Sequence, residues 1–414
     1  MDKFFPIDIK PACQLKWTWS TIRLRSGTSS SCHRVDGVPV NNFNNFHNTP
    51  EVIADRMTML DGNWPSGRGC EFCQNVEEAG GTSDRMFQNT IPNLYPKELD
   101  TDITAVNVTP KILEIYFDNV CNMACLYCHS GFSSKIELEN NRNGRFEQDG
   151  VVIENRKGFD SDKLEERTQQ FWNWMHNNST ELSRLHILGG EPFFQQQFED
   201  CLDFLACHQN PNLELNIITN LKVSNRRLQI IISRIKELIA TGKIKRLDIT
   251  ASIDCFGPAA EYVRNGLNLN EWRENFTYLA SETWLTLNIN QTLSCLTIKT
   301  VPELVKFINQ FENRDIGHYF SPTVKTHSFL HPSTFSYNVF AKDFEQILTE
   351  MKSETWQQKN AVNMMQGLIA GLEKNVYNND NEIHKLIVFL NEMDRRRGTD
   401  WKQTFPWLQE YVVY

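Results

Sequence analysis

No apolar run in these 414 residues approaches the length of a membrane span, and the opening Met1-Asp-Lys-Phe-Phe-Pro6 lacks the long apolar core of a signal peptide. The expectation is a cytoplasmic protein with no membrane partner. Positive charge is also scarce. Lys and Arg number 42 against 51 Asp and Glu, a formal net charge of −9, which argues against nucleic acid held on a broad basic surface. Regular periodicity is thin in the first hundred residues, where loops rich in Ser, Asn and Gly, such as 26–31 and 41–48, separate short apolar patches. Core-forming residues are not lacking: 40% of the chain is hydrophobic, with 26 Phe and 10 Trp, enough for two or three domains.

The absent export signal turns the 11 cysteines away from a disulfide framework. Seven fall into two sets with metal-ligand spacing; Cys201, Cys207, Cys255 and Cys295 are scattered and read as buried thiols. The first set, Cys121, Cys125 and Cys128, follows the strand-like Ile112 to Phe117 in the run Asp118-Asn-Val-Cys-Asn-Met-Ala-Cys-Leu-Tyr-Cys-His129. Three thiolates on one loop can grip an iron–sulfur cluster and leave one iron open, since such clusters are usually held by four cysteines. A zinc ion with His129 as fourth ligand, or three buried thiols, is the other reading.

Downstream, β-like runs (112–117, 185–188, 213–219, 246–253, 286–293 and 319–324) alternate with helical periodicity (163–177, 195–207, 225–240, 270–282 and 301–312). Such alternation predicts a mostly parallel sheet covered by helices, either open or barrel-like. In parallel α/β folds reactive groups gather at the carboxyl ends of strands. The cysteine loop stands at the first end and Gly189-Gly190-Glu191-Pro192 at the second. Thr219-Asn220 follows at the third and Ser252-Ile-Asp254 at the fourth. Glycines permit close backbone approach and Glu191 can accept a hydrogen bond from an ammonium group; equally, Glu, Asn, Ser and Asp cap helices and close turns. Arg264 can neutralise a carboxylate or pair with Glu261.

The second set lies in the N-terminal region. Cys70-Glu-Phe-Cys73 offers two ligands from one turn, and Cys13 and Cys32 flank a candidate hairpin at 25–29. A metal would tie together a segment short of apolar periodicity, with a cluster, a zinc ion or unrelated buried thiols as the choices. From about Asn338 the chain reads as helices, with stripes at Phe344, Leu348 and Met351, at Met364, Leu368 and Leu372, and at Ile383, Leu386, Ile387 and Leu390. The run Asp394-Arg-Arg-Arg397 reads as a solvated helix end or a contact for an anionic substrate.

The C-x3-C-x2-C spacing, with Asn122 after the first cysteine and Tyr127 before the third, resembles the signature of the radical SAM superfamily. Gly189 to Pro192 resembles its Gly-Gly-Glu-Pro motif, and Ser252-Ile-Asp254 with Glu261-Tyr-Val-Arg264 resembles a further family segment that has glycine where Cys255 stands here. The N-terminal region resembles the twitch or SPASM-like auxiliary-cluster segment. That match rests on Cys70 to Arg85, with Glu77, Gly80, Ser83 and Arg85 in a Glu-x2-Gly-x2-Ser-x-Arg run, and on Met59-Leu-Asp-Gly62-Asn-Trp-Pro65. His33 stands where relatives often carry a cysteine.

The resemblance implies an α/β fold: a partial (β/α)6 barrel at 105–330, a loop-rich cysteine domain at 1–104 and a helical C-terminal segment at 331–414. It implies a four-iron, four-sulfur (4Fe-4S) cluster on Cys121, Cys125 and Cys128 that binds and reductively cleaves S-adenosylmethionine. It assigns Tyr127, Gly189, Gly190, Glu191, Pro192, Asn220, Ser252, Asp254 and Arg264 to that cofactor, with Ser252 and Asp254 on the ribose. Cys13, Cys32, Cys70 and Cys73 are assigned to an auxiliary 4Fe-4S cluster, with zinc as the alternative. The implied activity is hydrogen abstraction from a peptide or protein side chain, with a flavodoxin or ferredoxin as electron donor. A nucleoside or sugar substrate, and a non-catalytic iron–sulfur electron carrier or redox sensor, are the rival readings.

Overall fold

Short runs rich in Ile, Leu and Thr become strands in the computed structural model, which describes residues 3–154, 161–322 and 327–412. The chain gathers into two compact units, each assembled from separate stretches: Met1–Asp118, Phe159–Ile217 and Ser233–Leu247 in the first, Asn119–Gly158, Ile218–Ile232 and Asp248–Tyr414 in the second.

In the first unit, β1 (Trp19–Arg23), β2 (Thr28–Ser30) and β3 (Val38–Pro39) form an antiparallel meander. β1 also pairs in parallel with β4 (Ile112–Tyr116), setting Trp19 opposite Ile112. β4 pairs in parallel with β5 (Arg184–Leu188), and β5 with β6 (Glu214–Thr219), which ends in the second unit. The second unit carries most of β7 (Arg246–Ser252), with β8 (Thr286–Leu293) and β9 (Ile316–Pro322), again parallel. The architecture is therefore mixed α/β with mostly parallel strands. Helices follow β5, β6, β7 and β8, and in these runs aliphatic residues such as Leu185, Ile187, Leu287 and Ile289 are buried, as sheets covered by crossovers require.

Five of the six expected strands begin and end within a residue of their expected limits. The sixth, expected at 319–324, starts earlier at Ile316 and ends at Pro322; positions 323 and 324 lie outside the described residues. Its early start follows from register, because Ile316 sits opposite Leu287 of β8.

The N-terminal segment is more regular than its composition implies. Thr49 caps the helix Pro50–Leu60 through its side chain, with proline in the first turn, a strong start signal. Phe5, Ile7, Ala12, Trp17, Val35, Met59, Tyr95, Leu99 and Val108 pack into an apolar cluster that includes Cys70 and is flanked by Cys13, Cys32 and Trp64. This region therefore has an apolar core of its own, and Cys70, Cys13 and Cys32 stand in and beside it.

The C-terminal helices are Ala341–Glu350, Trp356–Leu372 and Asp380–Arg397. In the second the buried stripe is Ala361, Met365, Ile369 and Leu372, one residue round from the expected Met364 and Leu368. Adjacent methionines leave that phase undetermined by spacing. Among the described residues no helix is long and apolar enough to cross a membrane.

Two glycines separate strain from crowding. Gly62 has φ +80 with open space where a Cβ would go; Gly69 has φ +98 and its Cβ would lie 2.5 Å from the Arg34 carbonyl oxygen. Gly62→Ala is expected to cost about 1–2 kcal/mol, the left-handed penalty alone, and Gly69→Ala a further 1–3 kcal/mol or so of overpacking. Urea unfolding of the two variants measures the difference.

Candidate functional site

The loop that carries Cys121, Cys125 and Cys128 is tied from several sides within the second unit. Asn119 donates through Nδ2 to the Ser130 carbonyl at 2.8 Å and to Glu137 Oε2 at 2.7 Å, and its own carbonyl accepts from Ser134 N at 2.8 Å. Ser133 caps the helix Ser134–Asn143 and donates to the Met123 carbonyl at 2.6 Å. Across the loop, Ala124 N and Leu126 N donate to the carbonyls of Asn265 and Val263 at 2.9 and 2.8 Å. Gly266, at φ +99, lets this strip approach closely, since a Cβ there would meet the Asn122 carbonyl at 3.2 Å.

Beneath the loop lies a buried ion pair. Arg264 donates Nε to Asp254 Oδ2 at 2.8 Å and Nη2 to Oδ1 at 2.7 Å; Tyr127 OH donates to Oδ2 at 2.7 Å and Thr292 N to Oδ1 at 3.0 Å. Asp254 is 0% exposed and Arg264 5%. Burial opposes the Arg264 charge, yet Asp254 outweighs it and holds its pKa well above the usual value. Burial also raises the Tyr127 hydroxyl. Arg264 pairs with Asp254 and not with Glu261, which instead accepts from Leu269 N at 2.9 Å. Asp254 already accepts four hydrogen bonds, so a ribose contact by this carboxylate would require one of them to yield.

Asn220 stands against the loop as well. Its Nδ2 donates to Asn122 Oδ1 at 3.0 Å and lies 3.9 Å from Cys121 Sγ, while Asn122 Nδ2 donates to the Lys222 carbonyl at 2.7 Å. Ser252 ends β7, buried opposite Asn290. His129 Nδ1 accepts from Gly131 N at 3.1 Å and its ring packs against Phe132, centroids 4.6 Å apart, so that nitrogen is occupied. A cavity of about 400 Å³ opens beside Cys125, Cys128 and His129, walled by Glu139, His327, Phe389 and Arg397.

The three thiols fit an anionic cluster. Burial raises the Cys125 and Cys128 thiols, and Cys128 is raised further by Cys125 and Cys121. Arg264 and Arg397 act in the opposite sense on Cys125, and would compensate thiolates bound to iron.

The Gly189-Gly190-Glu191-Pro192 turn, in the first unit, is built for close backbone approach. Gly189 (φ +84) and Gly190 (φ +61) are left-handed, and a Cβ on Gly189 would lie 2.3 Å from Tyr116 Cδ1. Glu191, 1% exposed, caps the 3-10 turn Pro192–Phe194 by accepting from Phe193 N at 3.1 Å. Gln195 Nε2 fixes the turn from behind on the Gly189 carbonyl at 2.7 Å.

Three cysteines of the second set, Cys13, Cys32 and Cys70, stand in or against one apolar cluster. Cys13 precedes the short helix Gln14–Thr18, Cys32 follows the β1–β2 hairpin, and Cys70 and Cys73 open the helix Glu71–Glu78. Burial first, then Cys32 and Cys70, push the Cys13 thiol up to about 12, and burial raises Cys32 and Cys70. All four are free thiols. The Glu-x2-Gly-x2-Ser-x-Arg run is a clasp: Glu77 accepts from Ser83 Oγ at 2.6 Å and from Arg85 Nε and Nη2 at 2.9 and 2.8 Å, while Arg85 Nη1 reaches the Ala12 carbonyl at 3.0 Å. That joins the Cys70–Cys73 helix to the Cys13 turn. Sequence reasoning missed Lys16, whose side chain is 2% exposed and which shares Asp55 with Arg68 and acts on Cys13, Cys32 and Cys70. A lysine inside an apolar stretch was the available signal.

Cys201, Cys255 and Cys295 are buried as expected, but Cys207 is exposed because it ends the helix Gln196–Cys207. Among the described residues no three His, Cys, Asp or Glu side chains are drawn together around one metal ion; such an ion would need sulfurs about 2.3 Å away on every side.

No protein-family model matches the chain, and no curated protein sequence does. Among solved structures, SuiB from Streptococcus suis bound to S-adenosylmethionine has a TM-score of 0.39 at 14% identity, over 83% of this chain and 73% of that one. His-tagged anSMEcpe with bound AdoMet gives 0.34 at 14%, over 63% and 58%. Escherichia coli coproporphyrinogen III oxidase (HemN), a radical SAM enzyme by its description, gives 0.29 at 14%, over 62% and 50%. Likenesses this distant leave the chemistry to be argued from the residues.

Removing one partner of the buried pair isolates its contribution. Asp254→Asn, which leaves Arg264 buried without its counter-charge, is expected to lower stability by about 3–5 kcal/mol. Urea unfolding measures the loss, and faster alkylation of Cys125 in the folded protein is the accompanying sign of a loosened loop.

Proposed function

We propose that this chain is a radical SAM enzyme that modifies a peptide or protein side chain. The observation that carries the reading is the placement of the partly buried Cys121, Cys125 and Cys128 on one tightly tied loop, with Arg264 and Arg397 supplying positive charge beside Cys125. Bound there, a 4Fe-4S cluster would supply one electron to S-adenosylmethionine, releasing methionine and a 5′-deoxyadenosyl radical that takes a hydrogen atom from the substrate. Asn119, Ser133 and the Val263–Asn265 strip hold the loop's shape, and Asp254 fixes Arg264 and Tyr127 below it. The family resemblance assigns the cofactor's ammonium to Glu191 and its ribose to Ser252 and Asp254. Peptide substrates are favoured because relatives with an auxiliary segment commonly modify ribosomally made peptides; the packing of Cys13, Cys32 and Cys70 in or against one apolar cluster, with Cys73 on the same helix as Cys70, supports such a segment here. Fold alone does not fix substrate.

Anaerobic reduction of the reconstituted protein with S-adenosylmethionine is expected to yield 5′-deoxyadenosine, and Cys125→Ala to abolish it; no 5′-deoxyadenosine from the parent protein would sink the proposal. Cys73→Ala is expected to lower bound iron while leaving some uncoupled cleavage. Loss of zinc instead of iron in that variant would assign the N-terminal set to zinc.

A further inference from the structure

The C-terminal arginine triplet is not the solvated helix end read from the sequence. Only Arg395 is exposed; the side chains of Arg396 and Arg397 are 0% and 6% exposed. Arg396 is consumed by Glu392, Asn140 and the Gly144 carbonyl. Arg397 is different. Glu139 grips it at two points, Nε at 2.8 Å and Nη2 at 3.1 Å, which fixes the guanidinium plane. The third nitrogen, Nη1, is buried and has no hydrogen-bond partner.

A buried guanidinium N–H without an acceptor costs free energy and calls for an explanation. Bulk water does not supply the acceptor, because Nη1 is shielded from solvent. Arg397 lines the same cavity as Cys125 and Cys128. Arg264, the buried arginine under the same loop, spends its Nε and Nη2 on Asp254. Arg397 is thus a clamped cation beside the cysteine loop with one donor in reserve.

Resting on the cluster reading above, we propose that Arg397 is a positioning residue for the Cys121–Cys125–Cys128 cluster, donating Nη1–H to anionic sulfur on the Cys125 side and raising the cluster's reduction potential. Reduction adds negative charge to the sulfurs, so a fixed donor and positive charge favour the reduced form. Glu139 has the opposite charge and sets how much of that effect survives.

The test is an EPR-monitored redox titration without S-adenosylmethionine, in a Cys70→Ala/Cys73→Ala background so that one cluster contributes. Arg397→Met is expected to shift the midpoint to more negative potential, Arg397→Lys to shift it less, and Glu139→Gln to shift it positive. Arg395→Gln is expected to leave it in place. If Arg397→Met does not fold, the lysine and Glu139 variants decide by the sign of their shifts. An unchanged midpoint with weaker S-adenosylmethionine binding would give Nη1 to the cofactor's carboxylate and overturn the proposal; an unchanged midpoint with only lower stability would reduce Arg397 to a helix clamp. Absence of any cluster signal before Arg397 is altered would overturn the underlying reading instead.

Discussion

The cysteine loop depends on a carboxylate that water does not reach. Asp254 accepts from Arg264 twice, from Tyr127 and from the Thr292 backbone, and each partner belongs to a different piece of the second unit. Tyr127 lies between two of the three cysteines, Arg264 is the middle residue of the strip that pairs with the loop, and Thr292 is in β8. Replacing such an ion pair by apolar residues often costs little, whereas removing one member costs several kcal/mol. Its value here is positional. One group of atoms sets the distance from a strand end to the middle of the loop.

Both cysteine sets are accompanied by buried cations that the apolar surroundings alone would not favour. Lys16 shares Asp55 with Arg68 close to Cys13, Cys32 and Cys70, and Arg264 and Arg397 act on Cys125. Burying a charge is expensive unless it is paired, and the carboxylates present pair only part of it. In the first case two cations divide one carboxylate. In the second, Arg397 keeps a donor after its salt bridge to Glu139 is complete. Thiols raised by burial become good ligands only where metal and positive charge stabilise the thiolate. The cations therefore belong to the same design as the cysteines.

The strands and most helices were legible because period-2 and period-3.6 apolar patterns are local. Thr286 to Leu293 and Asn225 to Ala240 were readable to the residue. What escaped depends on tertiary partners. Nothing local says that Trp19–Arg23 pairs in parallel with Ile112–Tyr116 across ninety-odd positions of sequence, or that Arg396 and Arg397 are buried while Arg395 is not. A charged triplet at a helix end is normally solvated; here the acceptors that bury it, Glu139 and Asn140, come from a helix more than two hundred residues earlier. Among the expected site residues, Arg264 and Asn220 are engaged with Asp254 and Asn122, contacts that spacing cannot reveal.

The C-terminal segment reaches the loop through the same strip. Tyr262 OH donates to Asp394 Oδ1 at 2.7 Å, Thr399 Oγ1 donates to the same oxygen at 2.6 Å, and Trp401 N donates to Asp394 Oδ2 at 2.7 Å. Gly398, left-handed at φ +66, ends the helix so that Thr399 and Trp401 can turn back onto Asp394. Tyr262 precedes Val263, whose carbonyl accepts from Leu126 between Cys125 and Cys128. The run from Asp394 to Trp401 is thus a turn that braces the cysteine loop through two hydrogen-bonded layers while placing Arg397 on the wall of the cavity beside Cys125 and Cys128. A segment that fixes both the loop's backbone and the Arg397 cation on its cavity wall cannot be altered in one respect without altering the other.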